Sequence, residues 1–172
     1  VTCSAYRRSG LFDEAEDLWR DLITEARRNR DLAREADFLT ALALLKGDKG
    51  DLRGSLSMRM QAHDIYARLA DSNYVLSLTN LARAHAELYE LDRAQLLADR
   101  ALVQCDPDAS LWLAHIHYTL GLIAYRKNEP RAALHHLDVV LQIELGAAGA
   151  LNEVVIDAHR ARAWSYRSLG AT

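Results

Sequence analysis

Proline and cysteine are scarce in this chain of 172 residues, at two each, and no uninterrupted apolar stretch approaches the roughly 18 residues that cross a bilayer. Each shortage excludes something. Cys3 and Cys105 are too few for a disulfide framework and too far apart for a CxxC redox or zinc motif, so both read as small core residues. Neither sign of charge dominates: 21 basic and 24 acidic residues leave a net charge of −3, and the longest basic runs are pairs such as Arg7-Arg8 and Arg27-Arg28. Such a balance gives no field to draw nucleic acid. No charged-then-apolar leader opens the chain. The expectation is a soluble, cytoplasmic protein that contacts neither nucleic acid nor membrane directly. Lysine is rare as well, present only as Lys46, Lys49 and Lys127. The preference for arginine, with abundant alanine and leucine, points to a GC-rich bacterial genome.

What is present is helical periodicity. Between Tyr74 and Tyr89 the residues Val75, Leu78, Leu81, Ala82, His85 and Leu88 recur every three to four positions, which marks a helix with one buried face. Both prolines fall where a helix tolerates them: Asp106-Pro107-Asp108 follows one helix, and Pro130 opens the next after Asn128-Glu129. Further breakers lie at Ser9-Gly10, Asn29 to Asp31, Gly47 to Asp51, Asp71 to Asn73, Glu90 and Gly146 to Gly149. They divide the chain into about nine helical segments with the short connections that antiparallel neighbours require.

Four sets of residues return at a constant step of 39: Leu42, Leu81 and Leu120; Ala43, Ala82 and Gly121; Ser55, Ala94 and Ala133; Ala62, Ala101 and Val140. Small residues recurring where helices must approach closely are the signature of a stacked helical array. Two helices make one repeat, and the repeats fall at approximately 1–30, 31–71, 72–107, 108–146 and 147–172, the first and last incomplete. This register predicts that leucine at Ala82 or Ala94 overpacks a helix contact, whereas Ala86 is exposed and tolerant.

Gly10-Leu11-Phe12-Asp13-Glu14-Ala15, followed by Trp19, resembles the G-x-F/Y-x-x-A-x-x-x-F core of tetratricopeptide repeats (TPR), and Leu120-Gly121 matches the Leu-Gly pair of that family. Phe12, Leu52, Leu91 and Pro130 continue it, each three residues before Ala15, Ser55, Ala94 and Ala133. The likeness covers nearly the whole chain. It departs in its step of 39 to 41 residues against the usual unit of about 34, in Arg59 and Ala98 where an aromatic like Trp19 belongs, and in having proline close one repeat only. The resemblance implies an all-α fold: a right-handed superhelical solenoid of antiparallel helix pairs, one domain over residues 1–172. Another helix-pair solenoid is the alternative architecture. In its extended repeat the chain is similar to helical arrays that serve as sensor or partner-binding segments of bacterial regulators. Tyr6 to Gly10 reads as the end of a first helix, and Tyr166 to Gly170 as another first helix without a partner. The expectation is a segment of a longer polypeptide, with a homodimer through the repeat ends as one arrangement open to it.

Catalytic constellations are hard to assemble from these residues. His115 with His117, and His135 with His136, diverge on one helix by about 200° and 100°, and no HExxH motif or cysteine cluster supplies the three or four ligands of a zinc site. Ser165, His159 and Asp157 lack a glycine-framed elbow, and Gly47, Gly50 and Gly54 lack the P-loop pattern. The reading is a non-enzyme with no cofactor and no metal.

In TPR arrays the first helix of each pair lines a concave groove. The resemblance places Thr40, Leu44, Thr79, Arg83, Glu87, Tyr118, Leu122, Tyr125 and Arg126 there, with His159, Tyr166 and Arg167 added if Tyr166 matches Tyr125. Tyrosine buries area at small entropic cost and arginine pairs bidentately with carboxylates, so this set suits a protein or peptide partner. Packing between repeats explains the same tyrosines equally simply. Members that clamp chaperone carboxylates use lysine, asparagine and arginine where this chain has Thr40, Leu44, Thr79 and Arg83, which argues against that role. The leading expectation is a protein- or peptide-binding scaffold. The alternative is a receptor for a small signalling peptide or small molecule, for which Asn80, Arg83, Tyr118 and Tyr125 supply polar groups.

Overall fold

A computed structural model describes residues 12–146 and 152–170. They form α1 (Phe12–Arg28), α2 (Leu32–Asp48), α3 (Leu52–Leu69), α4 (Tyr74–Glu87), α5 (Leu91–Gln104), α6 (Ser110–Arg126), α7 (Pro130–Gly146) and α8 (Asn152–Ser168), with no strand among the described residues. Cys3, Tyr6-Arg7, Ser9 to Leu11 and residues 147–149 lie outside the described residues. The breakers at Asn29 to Asp31, Asp71 to Asn73, Glu90, Asp106 to Asp108 and Asn128-Glu129 fall between helices as the sequence predicts, whereas Gly47-Asp48 and Gly146 form the last residues of α2 and α7. Pro130 occupies the first position of α7, where its missing N–H would have no helical partner.

Helix ends are set by short polar side chains and by single left-handed residues. The Asp31 carboxylate accepts the Arg34 amide at 3.1 Å, and that of Asp51 accepts the Gly54 amide at 2.8 Å, each capping the helix that follows. A Cβ added at Gly54 would collide with that Asp51 carboxylate, so glycine there keeps the cap of α3 in place. Arg30, Gly50, Ala70, Tyr89, Asn128 and Gly170, with φ of 48° to 83°, follow α1, α2, α3, α4, α6 and α8, and close them as left-handed C-caps do.

The contacts gather into two compact units, Val1–Ala84 and His85–Thr172. In the first, α2 packs against α1 and α3 around Ala15, Ile23, Leu39, Leu42, Leu45, Ala62 and Ile65. Phe12 and Trp19 of the recognised motif lie against this core, with the Trp19 ring 5.9 Å from that of Phe38. In the second, α7 packs against α6 and α8 around Ala124, Ala133, Leu137, Val140 and Ala158. Every member of the four 39-residue sets is buried.

Two members show why the step demands small residues. Ser55 stands where the other repeats have alanine, and its hydroxyl donates to the Ala43 carbonyl of α2 at 2.7 Å, so its one polar atom is satisfied at zero exposure. A Cβ added at Gly121 of α6 would lie 3.1 Å from Leu137 Cγ and Cδ2 of α7. Arg59, at a place where the motif wants an aromatic, is buried as well. Its Nε donates to Ser55 Oγ and a terminal nitrogen to the Asn80 carbonyl, both at 3.3 Å.

Ala86, expected to be exposed, has zero exposure. Four residues on a helix turn through only about 40°, so Ala86 shares the buried face of Ala82. Thr79 also differs from expectation: it is buried, and its hydroxyl returns to the Val75 carbonyl at 3.1 Å rather than facing solvent. Cys105 is buried, and burial, reinforced by Asp106, pushes its thiol pKa up.

Two of the three lysines tie α1 to the end of α2. Glu16 accepts from Lys46 at 3.0 Å and from Lys49 at 2.8 Å, while Lys46 reaches Asp51 at 3.0 Å and Lys49 reaches Asp13 at 2.7 Å. Hydrogen bonds from the two lysines hold the Glu16 carboxyl down to about 2.

The helix contact at the small residues has a direct test. Gly121→Val should lower unfolding free energy by about 1–3 kcal/mol, because Leu137 is fully buried and has little room to yield. Gly47→Ala in α2, whose added methyl meets only Ser55 Oγ at 3.5 Å, should raise it by about 0.5–1 kcal/mol. Urea denaturation of both variants measures the difference; equal effects would show that α6 and α7 are not in close contact.

Candidate functional site

Each unit carries a recess against its first helices. In the second unit it measures about 210 Å³ and is lined by Tyr118, Leu122 and Tyr125 of α6, Leu137 of α7, and Arg160, Ala161 and Trp164 of α8. Tyr118, Leu122 and Tyr125 lie at helical spacings of four and three, so α6 presents them on one face. Across from them, Trp164 meets the Tyr125 ring edge-on, with centroids 4.2 Å apart and planes at 69°. That arrangement places the positive edge of one ring on the negative face of the other and fixes both. Tyr125 nevertheless remains 36% exposed, so aromatic surface is offered outward.

In the first unit the recess measures about 190 Å³ and is lined by Asp37 and Thr40 of α2, Tyr66 of α3, Asn73 just ahead of α4, and Leu76, Ser77 and Asn80 of α4. Thr40 and Tyr118 are two 39-residue steps apart, so the two recesses share that one repeat position, while their other lining residues fall at different ones. Their linings differ: aromatic and apolar beside one arginine in the second unit, carboxylate, amide and hydroxyl in the first.

The structure brings together three residues of the expected groove, Tyr118, Leu122 and Tyr125, and disperses others. The Arg126 guanidinium lies 5.6 Å from the Tyr89 ring centroid, with one terminal nitrogen enclosed and without an acceptor. Arg83 and Glu87 are half-buried on α4, outside the residues lining either recess. Leu44 is 39% exposed on α2. On α8, Tyr166 does not join Tyr125; Arg162 stacks on it at 5.4 Å and donates to its hydroxyl at 3.3 Å, while also pairing with Asp138 of α7 at 2.9 Å. His159 and Arg167 are exposed on the same helix. Trp164 and Arg160 are the residues that sequence reasoning missed. The signal for Trp164 was present, since it lies one 39-residue step beyond Tyr125; matching the Tyr-Arg dipeptides instead used a step of 41 and selected Tyr166.

A second convergence was also missed. His117 of α6 and His136 of α7 face each other with Nδ1 atoms 3.1 Å apart and ring centroids at 5.3 Å. Histidine spacing along one helix does not reveal this pair, which forms between two helices. At that distance one neutral imidazole donates to the other. Burial first, then neighbouring imidazoles, pushes both pKa values down, that of His136 to about 4. Among the described residues no group of three or more His, Cys, Asp or Glu side chains converges as a metal site would require. Of the triad residues weighed above, Ser165 is fully buried with its hydroxyl donating to the Ala161 carbonyl at 3.0 Å, and His159 is exposed. The side chain of Asp157 lies outside the described residues.

No protein-family model matches the chain, and no curated protein matches it in sequence. Solved structures do match. BtubC (BKLC) from P. vanneervenii superposes with a TM-score of 0.80 at 20% identity, over 96% of this chain and 69% of its own. Two crystal structures of a Podosopora anserina putative kinesin light chain with nearly identical TPR-like repeats, one of them carrying a substitution to methionine, superpose at 0.72 and 0.70. Both are 16% identical over 97% of this chain, and 82% and 83% of theirs. The fold is a TPR-like helical repeat. At these identities the likeness speaks for the fold alone, and the TPR-like frame makes α2, α4, α6 and α8 the first helices of their pairs. No helix among the described residues is long and apolar enough to cross a membrane.

The His117–His136 pair predicts a pH response. Unfolded histidine titrates near 6.5 and the folded pair well below it, so the stability that depends on neutral imidazoles is complete above 6.5 and is lost as pH falls toward about 4. Thermal unfolding followed by circular dichroism should show the midpoint falling across that window, with a shallower fall in His136→Gln. An unchanged slope in the variant would contradict the assignment.

Proposed function

We propose that this chain is a protein- or peptide-binding helical-repeat scaffold, serving as the interaction segment of a larger bacterial regulatory protein. The observation that carries the binding reading is the second-unit recess, where Tyr118, Tyr125 and Trp164 form an aromatic cup on successive first helices with Arg160 beside it. Such a cup suits an apolar or aromatic side chain of an extended peptide, because rings already fixed by their own contact lose little entropy on binding. The arginine adds a planar donor for a carboxylate. The regulatory setting rests on analogy with helical arrays of the same type, and the bacterial source on the preference for arginine over lysine.

Size separates this reading from a receptor for a small molecule. Sites that enclose drug-sized ligands run to about 300–1,000 Å³; the recesses at Tyr125 and Asp37, at about 210 and 190 Å³, fit one side chain each, and a third between α1, α2 and α3, at about 280 Å³, also falls below that range. A binding scaffold also accounts for fully buried Ser165 and exposed His159, which an enzyme using those residues would have to bring together.

Random peptides displayed on phage and selected against the chain test the proposal. Selected peptides should share an apolar or aromatic position, and Trp164→Ala should weaken them by about tenfold or more while helicity is unchanged. Peptides that bind Trp164→Ala as well as the parent chain would remove the recess from the account.

A further inference from the structure

The first-unit recess differs from its counterpart in that acceptors prevail and no basic side chain lines it. Asp37 is exposed and accepts the hydroxyl of buried Tyr66 at 2.8 Å, which orients the carboxylate and leaves its second oxygen open. Ser77 is already engaged, donating to the Tyr74 carbonyl at 2.6 Å and accepting from His63 Nδ1 at 2.8 Å, and Thr40 donates to the Ala36 carbonyl at 2.9 Å. The carboxamides of Asn73 and Asn80 make no side-chain hydrogen bond to another described residue. The Tyr66 oxygen is itself engaged by the Thr40 hydroxyl, so the recess presents one carboxylate oxygen and two carboxamide oxygens.

The local field has the sign this inventory suggests. Burial first, then the bond to Asp37 and the charges of Asp37 and Asp71, hold the Tyr66 hydroxyl up at about 12. The positive end of the α4 dipole amounts to about half a charge, and the Asp71 carboxylate, which accepts the Asn73 amide at 2.7 Å, offsets it. Arg59 directs its guanidinium to Ser55 and to the main-chain carbonyl of Asn80.

We infer that this recess binds the cationic end of a basic side chain, the lysine ammonium or arginine guanidinium of a partner peptide, with Asp37 as its counter-charge and the Asn73 and Asn80 carboxamide oxygens as acceptors. The inference rests on the peptide-binding reading for its biological setting, and gives that reading a second specificity: a basic residue for the first unit beside an apolar one for the second. A carboxylate and two carboxamide oxygens complement a group that only donates.

Single-residue probes test the recess without any knowledge of the natural peptide. The full chain, labelled with 15N, is titrated with Nα-acetyl-lysine methylamide, Nα-acetyl-arginine methylamide and the neutral norleucine counterpart. The side-chain NH2 signals of Asn73 and Asn80 and the main-chain signals of Thr40 and Ser77 are followed. At least one cation should give saturable shifts at these groups that weaken with added salt, and the tighter of the two names the source; norleucine should give none. Asp37→Asn, which keeps an acceptor for Tyr66, should weaken binding about tenfold, and Asn80→Ala serves as the second variant should the first fail to fold. Equal shifts with norleucine, shifts that do not saturate, or unchanged binding by a folded variant would overturn the site. Cation binding without capture of any peptide by the second unit would instead sink the scaffold reading and leave this site standing.

Discussion

The rest of this structure depends on the close approach of paired helices. Packed helix axes lie about 8–10 Å apart, and the side chains at the contact decide where in that range they settle. Here the contact is made by Ala43 with Ser55, and by Gly121 opposite Leu137, so backbones come near enough for a serine hydroxyl to reach a carbonyl of the neighbouring helix. A methyl or two more at these places has nowhere to go in a close-packed interior. Because the same requirement returns every 39 residues, it fixes the repeat, and the repeat in turn fixes which face of each first helix is left open.

That open face is where composition is free to vary. Thr40 and Tyr118 are equivalent in the repeat, yet one belongs to an acidic, amide-lined recess and the other to an aromatic one. The buried 39-residue positions hold leucine or small residues in each unit while the half-buried Thr40 and Tyr118 differ in kind, as expected of a frame that carries separate recognition elements. The histidine pair between α6 and α7 belongs with the frame: its half-buried imidazoles stay neutral and hydrogen-bonded, and no third ligand among the described residues gives them further chemistry.

Much of the frame was legible in the sequence, because small residues and leucines at a fixed step report directly on burial. The limits of helices were legible too, since Asp31, Asp51 and Pro130 act through their own local chemistry. What failed were inferences that needed a helix seen in the round. The sequence register leaves Ala86 exposed, yet it stands one turn from Ala82 and is buried. The family register puts Thr79 in the groove, yet its hydroxyl satisfies itself on its own helix. The Tyr-Arg dipeptide points to Tyr166, whereas the step that every core position obeys points to Trp164. His117 and His136, 19 residues apart, were invisible to any argument confined to one helix, as was the acceptor cluster around Asp37, which draws on three elements.

The most direct test of this account is a proteolysis-based stability scan in which every described position is replaced by each larger residue. Positions 43, 82 and 121, and 55, 94 and 133, should reject nearly everything bigger than alanine, apart from the native serine at 55, whereas 44, 83 and 122, one residue further round the helix, should accept many replacements. If the two groups tolerate enlargement alike, the helices do not meet at the 39-residue positions, and both the repeat and the recesses built on it are wrongly placed.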